Sequence, residues 1–229
     1  MTKNDTRPIS AIYDSLRAEN AAWNVTIDKP SGPGWISGEE MKDARTGPFN
    51  GLLERIGELL NSDDKLTIAA SFSVRFGWAS AMAIAPYLRF RCVPDISLEN
   101  VSFKFGPGTF FERTAMYIPR GTVVDGDARA DNASMTTVSD ANALLRSLRD
   151  ALVAQSAPVV EALHEWSGFA HRGTWGMLTS AWASQFTAYC NNPHDQRDVV
   201  PMLDAFFAGD DVVAEMRPIM REVSYAGDT

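Results

Sequence analysis

The run His171-Arg172-Gly173-Thr174-Trp175-Gly176 sets an imidazole and a guanidinium one helical turn ahead of an aromatic row. Trp175, Leu178, Trp182, Phe186 and Tyr189 follow at i, i+3, i+7, i+11 and i+14, so one helix face carries four aromatics. A cation beside such a wall suits an anionic or planar ligand, which the charge attracts and the rings stack against. The same spacing fits a core helix whose first turn carries solvated polar groups, and both readings can hold at opposite ends of one helix. Arg75 is the second candidate. On its helix the residues at −4, −3, +1, +3 and +4 are Ser71, Phe72, Phe76, Trp78 and Ala79, with no carboxylate among them. A buried, unpaired charge is costly. Arg75 therefore calls for a remote partner, either a structural Asp or Glu or an anionic ligand.

Other chemistries find less support. His164, His171 and His194 form no H-x-x-x-H or H-E-x-x-H pair. Glu161 and Glu165, four apart, and the adjacent Asp210 and Asp211 read as solvated faces, so no metal held by protein ligands alone is expected. Cys92 and Cys190 are too few for a disulfide framework or a four-thiolate cluster. Cys92 follows Arg89 and Arg91, which would lower its pKa if it were exposed, yet each thiol reads more simply as an unreactive filler. No G-x-S-x-G elbow, G-x-x-x-x-G-K-[ST] loop or G-x-G-x-x-G fingerprint occurs, which leaves serine hydrolysis, nucleotide hydrolysis and dinucleotide redox chemistry unsupported.

The composition bounds the partners. The 229 residues hold 21 Lys and Arg against 29 Asp and Glu, a formal charge of −8, which argues against a phosphate-tracking nucleic-acid binder. At 45% hydrophobic and 22% charged, the chain has ample material for a core. The polar start leads to no apolar signal core, so a cytoplasmic protein is expected and the sequons at Asn24, Asn100 and Asn132 read as chance. Only Leu66 to Leu88 is long and apolar enough to suggest a membrane span. Arg75 at its centre would cost about 2.5–3.5 kcal/mol there, so a buried helix, with no stable membrane insertion, is the better reading.

The positioning elements follow from periodicity and punctuation. A first helix is predicted over 9–23, with Ile12, Leu16 and Trp23 on one side, and a break at Lys29 to Gly34. Ser37 and Glu40 form a capping-box pattern for a helix over 38–61 that Gly47-Pro48 splits or restarts. Asn61 to Asp64 turns the chain into an apolar helix over 65–89, ending near Pro86. Alternation from Ile96 to Phe105 and from Phe110 to Ile118, around Gly106-Pro107-Gly108, predicts a hairpin, with a further strand at 120–124 and a loop spanning 121–136. From Ser139 the pattern is helical, with breaks at Pro158, Gly168, Asn191-Asn192-Pro193, Gly209 and Pro218. The expected class is α+β: a helical segment over 1–64, an α/β segment with a hairpin over 65–136, and a helical bundle over 137–229, forming one unit with a small antiparallel sheet.

Three blocks in order resemble the ferric siderophore reductase (FhuF-like) family, whose fold is related to the C-terminal region of aerobactin-type siderophore synthetases. They are Ala70 to Ser80, Pro94 to Phe103, and Ser167 to Gly176 running into the helix with Trp182; the likeness covers roughly residues 60–190. The family's C-terminal cysteine set, which ligates a [2Fe–2S] cluster, has no counterpart in the cysteine-free stretch Pro218 to Thr229. The resemblance thus implies a pocket for a ferric siderophore or similar chelate, without the family's cluster. Arg75, His171 and Arg172 would attract the ligand's oxygens, Trp175 and Trp182 would pack its body, and reduction would need an electron-donor protein. A repurposed enzyme of siderophore or natural-product biosynthesis is the alternative, and a structural subunit with a vestigial pocket is the third.

Overall fold

Asn61 ends one helix and Asp64 begins the next, and this turn sets up the helix that carries Arg75. Asn61 adopts the left-handed conformation (φ 49°, ψ 49°) that its short polar side chain tolerates, closing α2 (Gly47–Leu60). The Asp64 carboxylate accepts from the backbone N–H groups of Leu66 and Thr67, each at 3.2 Å, and so caps α3 (Lys65–Gly77). The computed structural model describes residues 8–19, 24–30, 32–189 and 196–219. Trp23, Cys190, His194, the Asn191-Asn192-Pro193 break and most of the C-terminal tail lie outside them, as does the Tyr189 side chain.

The fold is α+β. One sheet has the order β1-β5-β4-β2, made of Val25–Ile27, Phe111–Met116, Val101–Phe105 and Trp35–Ser37. A second has the order β3-β6-β7, from Val93–Pro94, Gly121–Val124 and Met135–Val138. The expected hairpin is β4–β5, antiparallel and joined through Gly106 to Phe110. The expected strand at 120–124 is β6. The sheets are mixed rather than purely antiparallel, because β1 pairs with β5 and β6 with β7 in parallel. β1 reaches β5 from far along the chain, and β6 and the start of β7 lie within the stretch 121–136 expected as a loop, so local alternation signals the hairpin and misses both parallel pairs. Ile96 and Leu98 precede β4; a 3-10 turn at Leu98–Asn100 takes up the chain there.

The helices correct several boundaries. α1 runs Ile9–Glu19 and α4 Ala81–Phe90, after a 3-10 turn at Trp78–Ser80. Pro86 does not end α4. The carbonyl it deprives, Met82 O, accepts instead from the buried Tyr13 hydroxyl at 2.7 Å. Burial and the nearby Cys92 push the Tyr13 phenol well above its ordinary pKa, so it remains a donor. Likewise α5 (Ala141–Ser167) runs through Pro158, whose orphaned carbonyl belongs to the exposed Ala154. The capping box forms as read, with Ser37 N–H to Glu40 Oε2 at 2.7 Å and Glu40 N–H to Ser37 Oγ at 3.2 Å, but it opens only a 3-10 turn at Glu40–Lys42.

Packing brings α3 to the hairpin on one side and to α6 (His171–Tyr189) on another. Phe72 and Phe76 stack at 5.7 Å; Phe72 meets Phe105 at 6.0 Å and Phe76 meets Phe103 at 5.6 Å. Gly77 allows the close crossing with α6, since a Cβ there would lie 2.6 Å from that of Ala181. The stretch Lys65–Phe90 is the one described segment long and apolar enough to span a membrane, and 71% of its apolar 18-residue window is buried inside the fold. α7 (Gln196–Phe206) and α8 (Val212–Glu215) close the C-terminal bundle.

Candidate functional site

Arg75 sits on the flank of α3, where the helix meets the hairpin tip. Its Nε–H donates to Thr109 Oγ1 at 3.1 Å, and its Nη1 donates to Ser71 O at 2.9 Å and also to Ser71 Oγ. The Phe110 ring lies over the guanidinium, 4.7 Å from its carbon to the ring centre. No carboxylate among the described residues pairs with Arg75. Burial without a counter-charge pulls its pKa below the ordinary arginine value, yet a guanidinium remains charged at neutral pH. The result is a fixed cation, held by neutral oxygens and open on one side.

The hairpin tip is built to hold that geometry. Gly106 N–H donates to Phe110 O at 2.9 Å and Thr109 N–H to Gly106 O at 2.8 Å. A side chain at Gly106 would collide with Glu112, whose Oε1 would lie 2.0 Å from its Cβ. Thr109 is buried with φ +59°, a left-handed conformation that is an outlier for a β-branched residue. Its hydroxyl donates to Gly108 O at 2.6 Å while accepting from Arg75. Such strain persists where surrounding contacts over-determine it, and it clusters at ligand sites. Trp78, three residues beyond Arg75, is 52% exposed, and Phe110 is 65% exposed. Trp78 follows Arg75 at i+3, the spacing that makes neighbours on a helix surface, and its 3-10 turn packs against β5.

The residues expected around the start of α6 occupy a different place. His171 Nε2 lies 3.0 Å from Glu161 Oε2, and its ring stacks on His164 with centres 4.0 Å apart. His164 Nδ1 donates to Phe169 O at 3.0 Å. Arg172 reaches Glu215 at 3.2 Å on the surface, its side chain 71% exposed. Trp175 and Trp182, 6% and 1% exposed, belong to the core: they meet edge to face at 6.2 Å, and Trp182 meets Phe206 at 6.2 Å. Of the aromatic row, Trp175, Leu178, Trp182 and Phe186 are all buried. Arg75 and Arg172 have no described contact in common, since the first faces the hairpin and the second α8. Exposed ion pairs contribute little, so Arg172→Ala is expected to shift the denaturant-unfolding free energy by less than about 1 kcal/mol. A loss of several times that would give Arg172 a structural role.

Other clusters are internally compensated. Glu165 pairs with Arg45 at 2.7 Å; Asp211 caps α8 and pairs with Arg149 at 2.5 Å. A cleft of about 820 Å³ is lined by Glu54, Glu58 and Asp63, but Lys65 brings its own ammonium there, 4.9 Å over the Trp166 ring. A second, of about 450 Å³, holds the Asp95–Arg120 pair, joined at 2.5 Å. Among the described residues no group of three His, Cys, Asp or Glu side chains could hold a metal ion. Cys92 is buried, and two cysteines in the whole chain do not fit a [2Fe–2S] cluster. Thr109 and Phe110 escaped the sequence reading. The signal was there: a phenylalanine beside Gly-Pro-Gly-Thr at a hairpin tip has little core to enter, so its exposure was legible in the sequence. Compared with known families and with curated proteins, the sequence matches none.

Proposed function

We propose that this chain binds a small, oxygen-rich anionic ligand at Arg75, and that the ligand is a ferric siderophore or related metal chelate, handled without an iron–sulfur cluster of the protein's own. One observation carries the reading: a guanidinium fixed by Ser71 and Thr109, without a described carboxylate, beside two exposed rings. A local cation governs the encounter with an anionic chelate even on a chain of net charge −8. The siderophore class comes from the blocks at Ala70–Ser80 and Ser167–Gly176 that resemble the reductase family. Arg75 takes the negative oxygens and Trp78 packs the organic body. Reduction of the ferric cargo implies an electron-donor protein as partner.

Tryptophan fluorescence tests this. An anionic ferric chelate, a ferric tris-catecholate, is expected to quench the intact protein saturably at micromolar concentration, while the metal-free ligand quenches far less. Trp78→Phe should remove most of the effect, because Trp78 is an exposed indole three residues beyond Arg75. Absence of saturable quenching at high micromolar chelate, with free tryptophan amide as the inner-filter control, overturns the proposal.

A further inference from the structure

We infer that the group received at Arg75 is an aromatic ring carrying an anionic oxygen, an aryl acid rather than an aliphatic one. The inference rests on the reading that Arg75 holds an anion, and adds the chemical class of what the anion is attached to.

The aromatic side chains of the core interlock. Phe49, Phe72, Phe76, Phe103, Phe105 and Phe111 form one chain of ring contacts, with centres 4.9 to 6.5 Å apart. Trp175, Trp182, Phe186 and Phe206 form another. Phe110 and Trp78 belong to neither. Both are more than half exposed, and neither packs against another ring among the described residues. Val74, on the same outer side of α3, is also exposed. The Phe110 ring, held against the guanidinium and open to solvent, sets an apolar face beside a fixed cation.

The geometry of the guanidinium then selects among anions. Nε and Nη1 are engaged by Thr109 and Ser71, whereas Nη2 makes no hydrogen bond with a described residue. Phe110 covers the face. An incoming oxygen therefore meets Arg75 edge-on, in the guanidinium plane, as carboxylates do. A ring conjugated to that oxygen continues the same plane and presents a flat π face to the flanking rings. Offset and edge-to-face ring pairs add attraction beyond area burial. A puckered aliphatic ring of the same charge and similar bulk buries apolar area but offers no such match. On the chelate, the arriving group is an aryl ring whose negative oxygen faces Arg75.

The test compares benzoate, cyclohexanecarboxylate and benzyl alcohol by ligand-observed NMR titration of the full chain. Benzoate is expected to bind about threefold to tenfold more tightly than cyclohexanecarboxylate, with benzyl alcohol weakest. Phe110→Leu should bring the ratio of the two acids close to one, and Arg75→Gln should weaken both. Equal affinity for the acids, or a preference for the aliphatic one, overturns the aryl assignment and leaves anion binding at Arg75 intact. An unchanged ratio in Phe110→Leu overturns it as well, by putting the ring elsewhere. If neither acid binds up to tens of millimolar, anion capture at Arg75 falls and this inference falls with it.

Discussion

Replacing Trp182 with alanine should destabilise the protein by about 3–5 kcal/mol, the range for truncating a large aromatic in a packed core. The indole is almost wholly buried and is held edge to face by Trp175 and by Phe206, so its loss leaves a void where α6 meets α7. Against a typical domain stability of about 5–15 kcal/mol, that single change removes a large share. Urea unfolding monitored by far-UV circular dichroism reads it directly. The folded fraction should still bind the ferric chelate, because Trp182 has no described contact with the Arg75 surface. A cost below about 1 kcal/mol would mean that the bundle already has a hollow around Trp182, and would return this indole to the ligand wall that its helical spacing suggested.

Trp182 also shows where sequence reading succeeds and where it stops. Period 3.6 identified the face of α6 correctly, and the burial of Trp175, Leu178, Trp182 and Phe186 follows from it. Periodicity says which side chains share a face, however, not whether that face meets protein or ligand. Here α7 supplies Phe206 as the cover, and no local pattern around residue 182 points to a partner more than twenty positions away. The hairpin, the Asp64 cap and the Ser37–Glu40 box were legible because each is local: a turn, a carboxylate or a reciprocal pair within a few residues. The prolines misled for the complementary reason. Pro86 and Pro158 forbid one hydrogen bond each, and whether a helix survives depends on who answers the orphaned carbonyl. At Met82 that answer comes from Tyr13, sixty-nine residues earlier. Arg75 stood out in the sequence as a cation without a local counter-charge. The identity of its neighbours, Thr109 and Phe110, required the hairpin to fold back on α3.

Arg75→Gln separates a binding cation from a structural one. A hydrogen bond to a charged partner is worth about 1.5–3 kcal/mol, so affinity for the ferric chelate should fall by roughly ten- to a hundredfold. Stability should move little, because two opposing effects meet at this position. The variant loses the hydrogen bonds to Ser71 and Thr109, while it also sheds a partly desolvated charge that no described carboxylate compensates. Arg75→Lys keeps the charge, but an ammonium cannot span Thr109 and Ser71 as the planar guanidinium does, so it should recover only part of the affinity. Titration at increasing ionic strength gives an independent reading: binding to the wild type should weaken with salt, and the dependence should flatten in Arg75→Gln. Should the glutamine variant instead lose several kcal/mol of stability while its affinity and salt dependence match the wild type, Arg75 is a strut between α3 and the hairpin, and the anion is held somewhere else.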